Sequence, residues 1–465
     1  MSNSSLLTEI SLGFEAFSTS SVSLSNEQID RAIELTHPLK DESRKWFTYL
    51  NALALFGFEN WLEERGDEFT VNRENCSIFN PEIANTIDAV CNLQVNQFKV
   101  CLVTVGSLLD EVVTVPQAVL DLPEYAAQFY VLVEVQEELE TVAVSGFISY
   151  QNLIAAKINA NLEPDEDWTY SIPLQWFEPE TEELLLYLRC LEPAAIPLPE
   201  IPNRQTLLSA QTAQLQTILP QLQPQNQASN PQLWNLLNWE QATAILTHPS
   251  LLRWVYQIQN TTDLEGEIGQ SELIETQKTY LKDLLKLISE PAINLGRWMR
   301  DELDNLANEF SWVLLPDVSL EMRGYPAMRN MRDTSEEMGI ILQQLQQQGV
   351  EISPQAKVGY RDLQLAETSL RLYAVTGELE SDTVREWKLL LILGTPSQTS
   401  LPHQVQLRVS DASTILDEQG LNPGDDYPYI FTEVVGSLEE KFIVTVSLGS
   451  ELQETLPPFG FNPEQ

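Results

Sequence analysis

The stretch that most constrains the fold lies at residues 127–149. Phe129, Val131, Val133 and Val135 alternate with Tyr130, Leu132, Glu134 and Gln136. After the polar break Glu137-Glu138-Leu139-Glu140, alternation resumes at Val142, Val144, Gly146 and Ile148. A period of two on both sides of a short polar break describes a β-hairpin with one buried face. Pairing Gln136 with Thr141 sets Val135 opposite Val142, Val133 opposite Val144, Val131 opposite Gly146 and Phe129 opposite Ile148. A lone hairpin is marginal in water, so this one requires further strands or a helix packed on it.

The segments before it supply both. Ser25-Asn26-Glu27-Gln28 fits a capping box and predicts a helix through Leu35, stopped by Pro38. Asp41 starts a second helix running to about Arg65, with Gly66 just past its end. Trp46, Tyr49, Leu50, Leu53, Phe56 and Trp61 line it, and Phe47, Ala54, Leu55 and Phe58 widen the apolar surface, which is the pattern of a helix deep in a core. Strands are predicted at 69–73, 89–95, 98–105 and 112–115, with Asn96-Gln97 as a tight turn. Pro116 opens a helical turn, and a short helix is expected at 153–158. Residues 184–191 read as a buried strand, closed off by Pro193, Pro197, Pro199 and Pro202.

Residues 206–228, rich in Gln, Leu and Pro, read as a linker with one short helix, broken by Pro220 and Pro224. Helices are predicted at 232–246, 249–259, 272–288 and 291–310. In the last, Leu295, Trp298, Met299, Leu303 and Leu306 form a stripe that reads as core. From Trp312 the chain turns to β-structure, with a helix at 335–348 ending at Gly349. Strands follow at 369–379, 385–393, 404–409, 429–435 and 441–448, separated by Gly, Pro, Asn and Asp turns. The run from Trp387 to Leu393 is the expected central strand, buried on both faces.

Charge narrows the function classes. Lys and Arg total 26 against 68 Asp and Glu, a formal net charge of −42. That balance disfavours phosphate backbones and anionic membrane surfaces and suits a basic protein partner. Between Val105 and Asn203 the only cations are Lys157 and Arg189, whereas residues 278–332 are balanced, so the front half is the expected meeting surface for such a partner. Cys76, Cys91, Cys101 and Cys190 include no C-x-x-C pair and read as reduced core residues of a cytoplasmic protein. The N-terminal residues lack a basic and apolar leader pattern, and no run reaches the length of a membrane span.

The candidates for chemistry are sparse. His37 and His248 each precede a proline, which places them at helix boundaries; with His403 they are the only imidazoles. No G-x-S-x-G elbow, zinc spacing or phosphate loop is present, and Gly420-Leu421-Asn422-Pro423-Gly424 lacks the required Lys. Two acidic loops, Glu163-Pro164-Asp165-Glu166-Asp167-Trp168 and Pro423-Gly424-Asp425-Asp426-Tyr427, carry calcium-type oxygens without the EF-hand pattern. Arg323, Arg329 and Arg332, with Tyr325 among them, form the local basic cluster.

Trp46-Phe47-Thr48-Tyr49-Leu50-Asn51, the strand from Phe129 to Val135, Asn294-Leu295-Gly296-Arg297-Trp298, the run from Trp387 to Gly394 and Leu456-Pro457-Pro458-Phe459 together make the chain resemble the cyanobacterial domain-of-unknown-function family 1822. The resemblance spans most of the chain and rests on structural motifs. It implies a regulatory or adaptor role and brings no activity, cofactor or site residue.

The expectation is an α+β chain: a mixed N-terminal domain with an antiparallel sheet (1–203, around the hairpin), a Gln/Pro-rich linker and helical middle (204–311), and a C-terminal all-β sandwich (312–465). No catalytic, cofactor-binding or metal-binding residue is assigned. The expected role is a cytoplasmic, non-enzymatic adaptor or regulator that binds a basic protein, with no nucleic acid and no membrane. The alternatives are an enzyme, such as a hydrolase, with a dispersed site marked by His37, His248 or His403, and a small-ligand module in the tail sandwich.

Overall fold

The computed structural model describes residues 21–66, 68–106, 111–223, 232–260, 267–316, 329–379, 385–396, 399–421, 424, 427–449 and 452–463. The chain has an α+β architecture and forms two compact units, Met1–Pro202 with Pro231–Thr247, and Asn203–Asn230 with His248–Gln465.

The first unit begins with β1 (Ser21–Ser23), α1 (Asn26–Thr36), α2 (Glu42–Glu63), β2 (Val71–Asn72), α3 (Pro81–Ala84), β3 (Cys91–Val95) and β4 (Phe98–Val105). It continues through β5 (Val112–Pro116), α4 (Ala118–Asp121), β6 (Phe129–Gln136), β7 (Thr141–Ser149), α5 (Tyr150–Ala160), β8 (Thr169–Pro173) and α6 (Thr181–Cys190). The chain then forms α7 (Arg204–Ile218) of the second unit and returns to the first with α8 (Trp239–Leu246).

The helix starts are set locally. Ser25 and Gln28 close the capping box on α1, and the Asp41 carboxylate accepts the Ser43 and Arg44 N–H groups at the start of α2. Residues Ala52–Phe58, Trp61 and Leu62 of α2 are buried, whereas on its first turns Trp46 and Phe47 are exposed and Arg44 and Thr48 turn inward.

The central sheet runs β1-β7-β6-β4-β3-β2; its ladders are antiparallel except for the parallel β4–β6 pair. Both faces are covered. Phe129, Val131, Val133 and Val135 pack with α2 on one side, and Tyr130 and Leu132 pack with β5, β8, α4 and α5 residues on the other. Burying each such side chain stabilises the unit by about 1.5–3 kcal/mol.

The expected hairpin register holds from Gln136–Thr141 to Val133–Val144 and then changes. Ser145 is an extra residue, so Leu132 faces Gly146, Val131 faces Phe147 and Phe129 faces Ser149. This β-bulge reverses the parity of β7, bringing Phe147 into the α2-side core and sending Ile148 to the other. Gly146 is needed for a different reason than strand parity: a Cβ there would lie 2.9 Å from the Glu178 carbonyl, and that carbonyl accepts the Phe147 N–H.

Of the expected strand at 184–191, residues 184–190 belong to a helix, α6, and Leu191 is its extended C-cap. Leu184, Leu185 and Leu188 share one buried face while Leu186 is 54% exposed, so the leucine run is amphipathic with a helical period.

The second unit contains α7 and then α9 (Pro249–Asn260), α10 (Glu267–Ser289), β9 (Ile293–Asn294), α11 (Leu295–Trp298), α12 (Asn305–Glu309), β10 (Val313–Leu314) and α13 (Arg329–Gln347). After these come β11 (Lys357–Leu365), β12 (Thr368–Leu379), β13 (Glu386–Gly394), β14 (Val405–Ser410), β15 (Ile415–Gly420), β16 (Tyr429–Ser437), β17 (Lys441–Leu448), β18 (Leu452–Thr455) and β19 (Phe459–Gly460).

Two sheets form a sandwich: β10-β11-β12-β13-β16, and β15-β14-β17-β19-β9 with β18 beside β17. Leu389, Leu391 and Leu393 of β13 face the inter-sheet core with Trp387, Leu407, Val444 and Phe442, while Leu390 and Ile392 face Met338 and Leu345 of α13. The central strand is therefore buried on both faces, as its unbroken apolar run implies.

The expected helix over 291–310 is instead β9 and two short helices. The side chain of Asn294 caps α11 and that of Asp304 caps α12, and Asp301 between them has φ +60°, which ends the first. Leu295 and Trp298 are nevertheless buried in the sandwich core, and Met299, Leu303 and Leu306 pack against it. The helix in the 206–228 stretch is longer than a linker implies, spanning 15 residues as α7 before Pro220 enters a 3₁₀ turn.

Candidate functional site

The first unit carries a concave acidic face. On α1, Glu27, Asp30 and Glu34 recur at three- and four-residue spacing and are exposed. Behind them, α2 contributes Glu59 and Glu63. One groove, about 1250 Å³, runs between α1 and α2 from Ser23 to Arg73; a second, about 1230 Å³, lies between α2 and β2 and takes in Phe69, Glu74 and Phe79. Glu59, Glu63 and Arg73 border both, which joins them into one surface.

Six carboxylates line this surface against two guanidiniums. Each guanidinium already has an acid: Arg31 meets Glu34 at 2.6 Å, and Arg73 reaches Glu59 through Nε at 2.6 Å and also through Nη2. The bidentate Arg73–Glu59 pair fixes the junction of the grooves. Burial pushes the Glu59 carboxyl up from its ordinary value, and Arg73 counters part of that. Glu27, Asp30 and Glu63 remain on the groove walls as acceptors, a surface suited to lysine and arginine side chains.

The imidazoles do not join this surface. His37 is exposed at the C-terminus of α1, where its N–H donates to the Glu34 carbonyl; His403 is exposed; His248 is half-buried, and its carbonyl accepts from Leu251 and Leu252 at the start of α9. His37 belongs to the first unit and the other two to the second.

In the first acidic loop, Asp167 accepts from the Thr169 hydroxyl at 2.6 Å and Asp165 from the Ser171 hydroxyl at 3.2 Å, as side chains that shape a turn do. Of the second, Pro423, Asp425 and Asp426 lie outside the described residues, as do Arg323 and Tyr325 and the side chains of Arg329 and Arg332. Among the described residues, no group of three or more His, Cys, Asp and Glu is placed to hold a metal, and no helix is long and apolar enough to cross a membrane.

The thiols are structural in their surroundings. Cys76, Cys91 and Cys101 are buried; the Cys91 Sγ donates to the Asn51 carbonyl at 3.1 Å, and burial raises its pKa well above the usual value, which suppresses the thiolate. Cys190 is exposed.

The acidic periodicity of α1 was open to sequence reasoning. Its junction with Glu59 and Arg73 was not, because 14 residues separate that pair along the chain.

No curated protein and no solved structure matches this chain. One family model matches it over residues 22–457, nearly the whole of both units. On that match the chain belongs to the family described as "Protein of unknown function (DUF1822)".

Proposed function

We propose that the chain is a cytoplasmic, non-enzymatic adaptor or regulatory protein of cyanobacteria that holds a basic protein on the acidic face of its first unit. The observation that carries this reading is the joined pair of grooves, in which both arginines are already paired and Glu27, Asp30 and Glu63 face outward. A net charge of −42 repels phosphate backbones and speeds encounter with a cationic protein, so the partner is a protein and not a nucleic acid.

The test is a pull-down from the source cell with the full chain at about 50 mM and about 500 mM NaCl, where screening shortens the reach of charge to a few ångströms. A basic protein retained at low salt, released at high salt and lost on the triple change Glu27→Lys, Asp30→Lys and Glu63→Lys supports the reading. Retention unchanged by both treatments, or no partner at either salt, rejects it.

A further inference from the structure

A third concavity of the first unit is smaller and of different chemistry. It encloses about 260 Å³ beside β3, between the 72–83 segment and the 124–127 segment. Asn92 and Gln94 supply amides, Lys99 an ammonium, and Glu74 and Glu124 carboxylates, beside buried Ala126. Asn72 is the cross-strand neighbour of Gln94, and Gln94 that of Lys99, so these three form one polar row across β2, β3 and β4.

The cleft exists because β2 is only two residues long. Val95 and Phe98 close a two-residue turn, so Val95, Leu93 and Cys91 exchange main-chain bonds with β4, and Gln94 and Asn92 direct theirs toward β2. The β2 ladder stops at the Asn72–Gln94 pair. Glu74, next in line to meet Asn92, instead donates its N–H to the Asn72 side chain at 2.8 Å. The N–H and C=O of Asn92 therefore face the cleft without a strand partner, and the buried Oδ1 of the same residue accepts no hydrogen bond, its Nδ2 donating to the Tyr125 carbonyl at 2.8 Å.

We propose that this cleft binds a free α-amino acid. The open edge at Asn92 presents one N–H and one C=O side by side. An amino acid matches them with its α-carboxylate and α-ammonium, as a paired strand residue does with its C=O and N–H. Lys99 adds a cation for the carboxylate, and Glu74 and Glu124 favour a ligand that carries an ammonium over a simple anion. The volume lies below the ~300–1,000 Å³ of sites for larger ligands, which excludes a peptide lying along the edge.

The experiment is calorimetric titration of the full chain with each of the twenty common L-amino acids up to about 10 mM, above the ~1 mM range of weak binding. At least one binds in a 1:1 ratio. Its decarboxylated and its deaminated analogues each bind at least about tenfold more weakly, as does the amino acid itself to Lys99→Gln, whereas Lys99→Arg stays within about threefold of wild type. Lys99 is exposed and on no described ion pair, so neither variant disturbs the core. Hydrogen exchange supplies an independent readout: the Asn92 amide slows when ligand is present. Absence of binding across the panel, affinity indifferent to Lys99→Gln, or an Asn92 amide unprotected in the complex overturns the proposal.

Discussion

Asp283 of α10 and Arg408 of β14 form a buried ion pair: one carboxylate oxygen, Oδ2, accepts from Nε at 3.0 Å and Nη2 at 2.8 Å, and the other accepts from the Thr445 hydroxyl at 3.3 Å. Asp283 is 1% exposed and Arg408 9%. The pair joins the helical layer of the second unit to the outer face of its second sheet, where apolar packing gives way to Arg408, Ser410 and Thr445. Glu418 stands 3.7 Å from the same guanidinium.

Removing one member of such a pair leaves the other charge buried, so Asp283→Ala is expected to destabilise the second unit by about 3–5 kcal/mol. The double change Asp283→Leu with Arg408→Met removes both charges and is expected to fall within about 2 kcal/mol of wild type. Urea unfolding followed by hydrogen exchange in β14 measures both. A loss below about 1 kcal/mol for Asp283→Ala contradicts the assignment.

Gly57 of α2 lies directly on Val142 of β7: a Cβ at Gly57 would sit 2.3 Å from the Val142 Cβ. Alanine ordinarily gains about 1 kcal/mol over glycine inside a helix. Here overpacking outweighs that gain, and Gly57→Ala is expected to cost about 1–3 kcal/mol net. Adding Val142→Ala is expected to recover part of the loss, a coupling that a double-mutant cycle on the denaturation midpoints detects. Strict additivity of the two changes means that Gly57 and Val142 do not touch.

Burial of Glu59 and Asp88 is expected to favour the folded state increasingly as pH falls through their raised folded values toward the ordinary 4.5 and 3.8. The carboxyls of Glu59 and Asp88 are held above their ordinary values, chiefly by burial and despite Arg73 and Arg44. A carboxyl whose folded pKa exceeds its unfolded one binds its proton more tightly when folded. Its favourable contribution is complete below the ordinary values of 4.5 and 3.8 and is lost as pH rises through the raised values. The net charge of −42 acts in the same direction through self-repulsion. Thermal unfolding of wild type and of Asp88→Asn from about pH 8 to about 4 measures this: the wild type gains on the variant as pH falls, and a gap that stays constant or widens with rising pH refutes it.

The exposed acids of α1 repel one another and form no core contacts, so Glu27→Lys with Asp30→Lys is expected to leave the unfolding midpoint within about 0.5 kcal/mol of wild type, or to raise it slightly. The same variant is expected to weaken capture of a basic partner at low salt. A large loss of stability assigns these residues to folding and not to binding.

The sequence by itself determined the elements whose causes are local. The Ser25–Gln28 box, the Asp41 cap, the Asn96 turn, the Lys441–Leu448 strand and the doubly buried run at Trp387 all follow from caps, turn residues and apolar period. Tertiary structure decided the rest. The Ser145 bulge reverses strand parity so that Phe147 fills the space over α2, and no local signal separates that register from an unbroken one. The leucine run of α6 fits either period, and packing chose the helical one. The acidic grooves, the open edge at Asn92 and the Asp283–Arg408 pair each depend on residues far apart in sequence. Charge and hydrogen-bonding capacity are written along the chain, but which groups share a cleft is fixed only when the cores close.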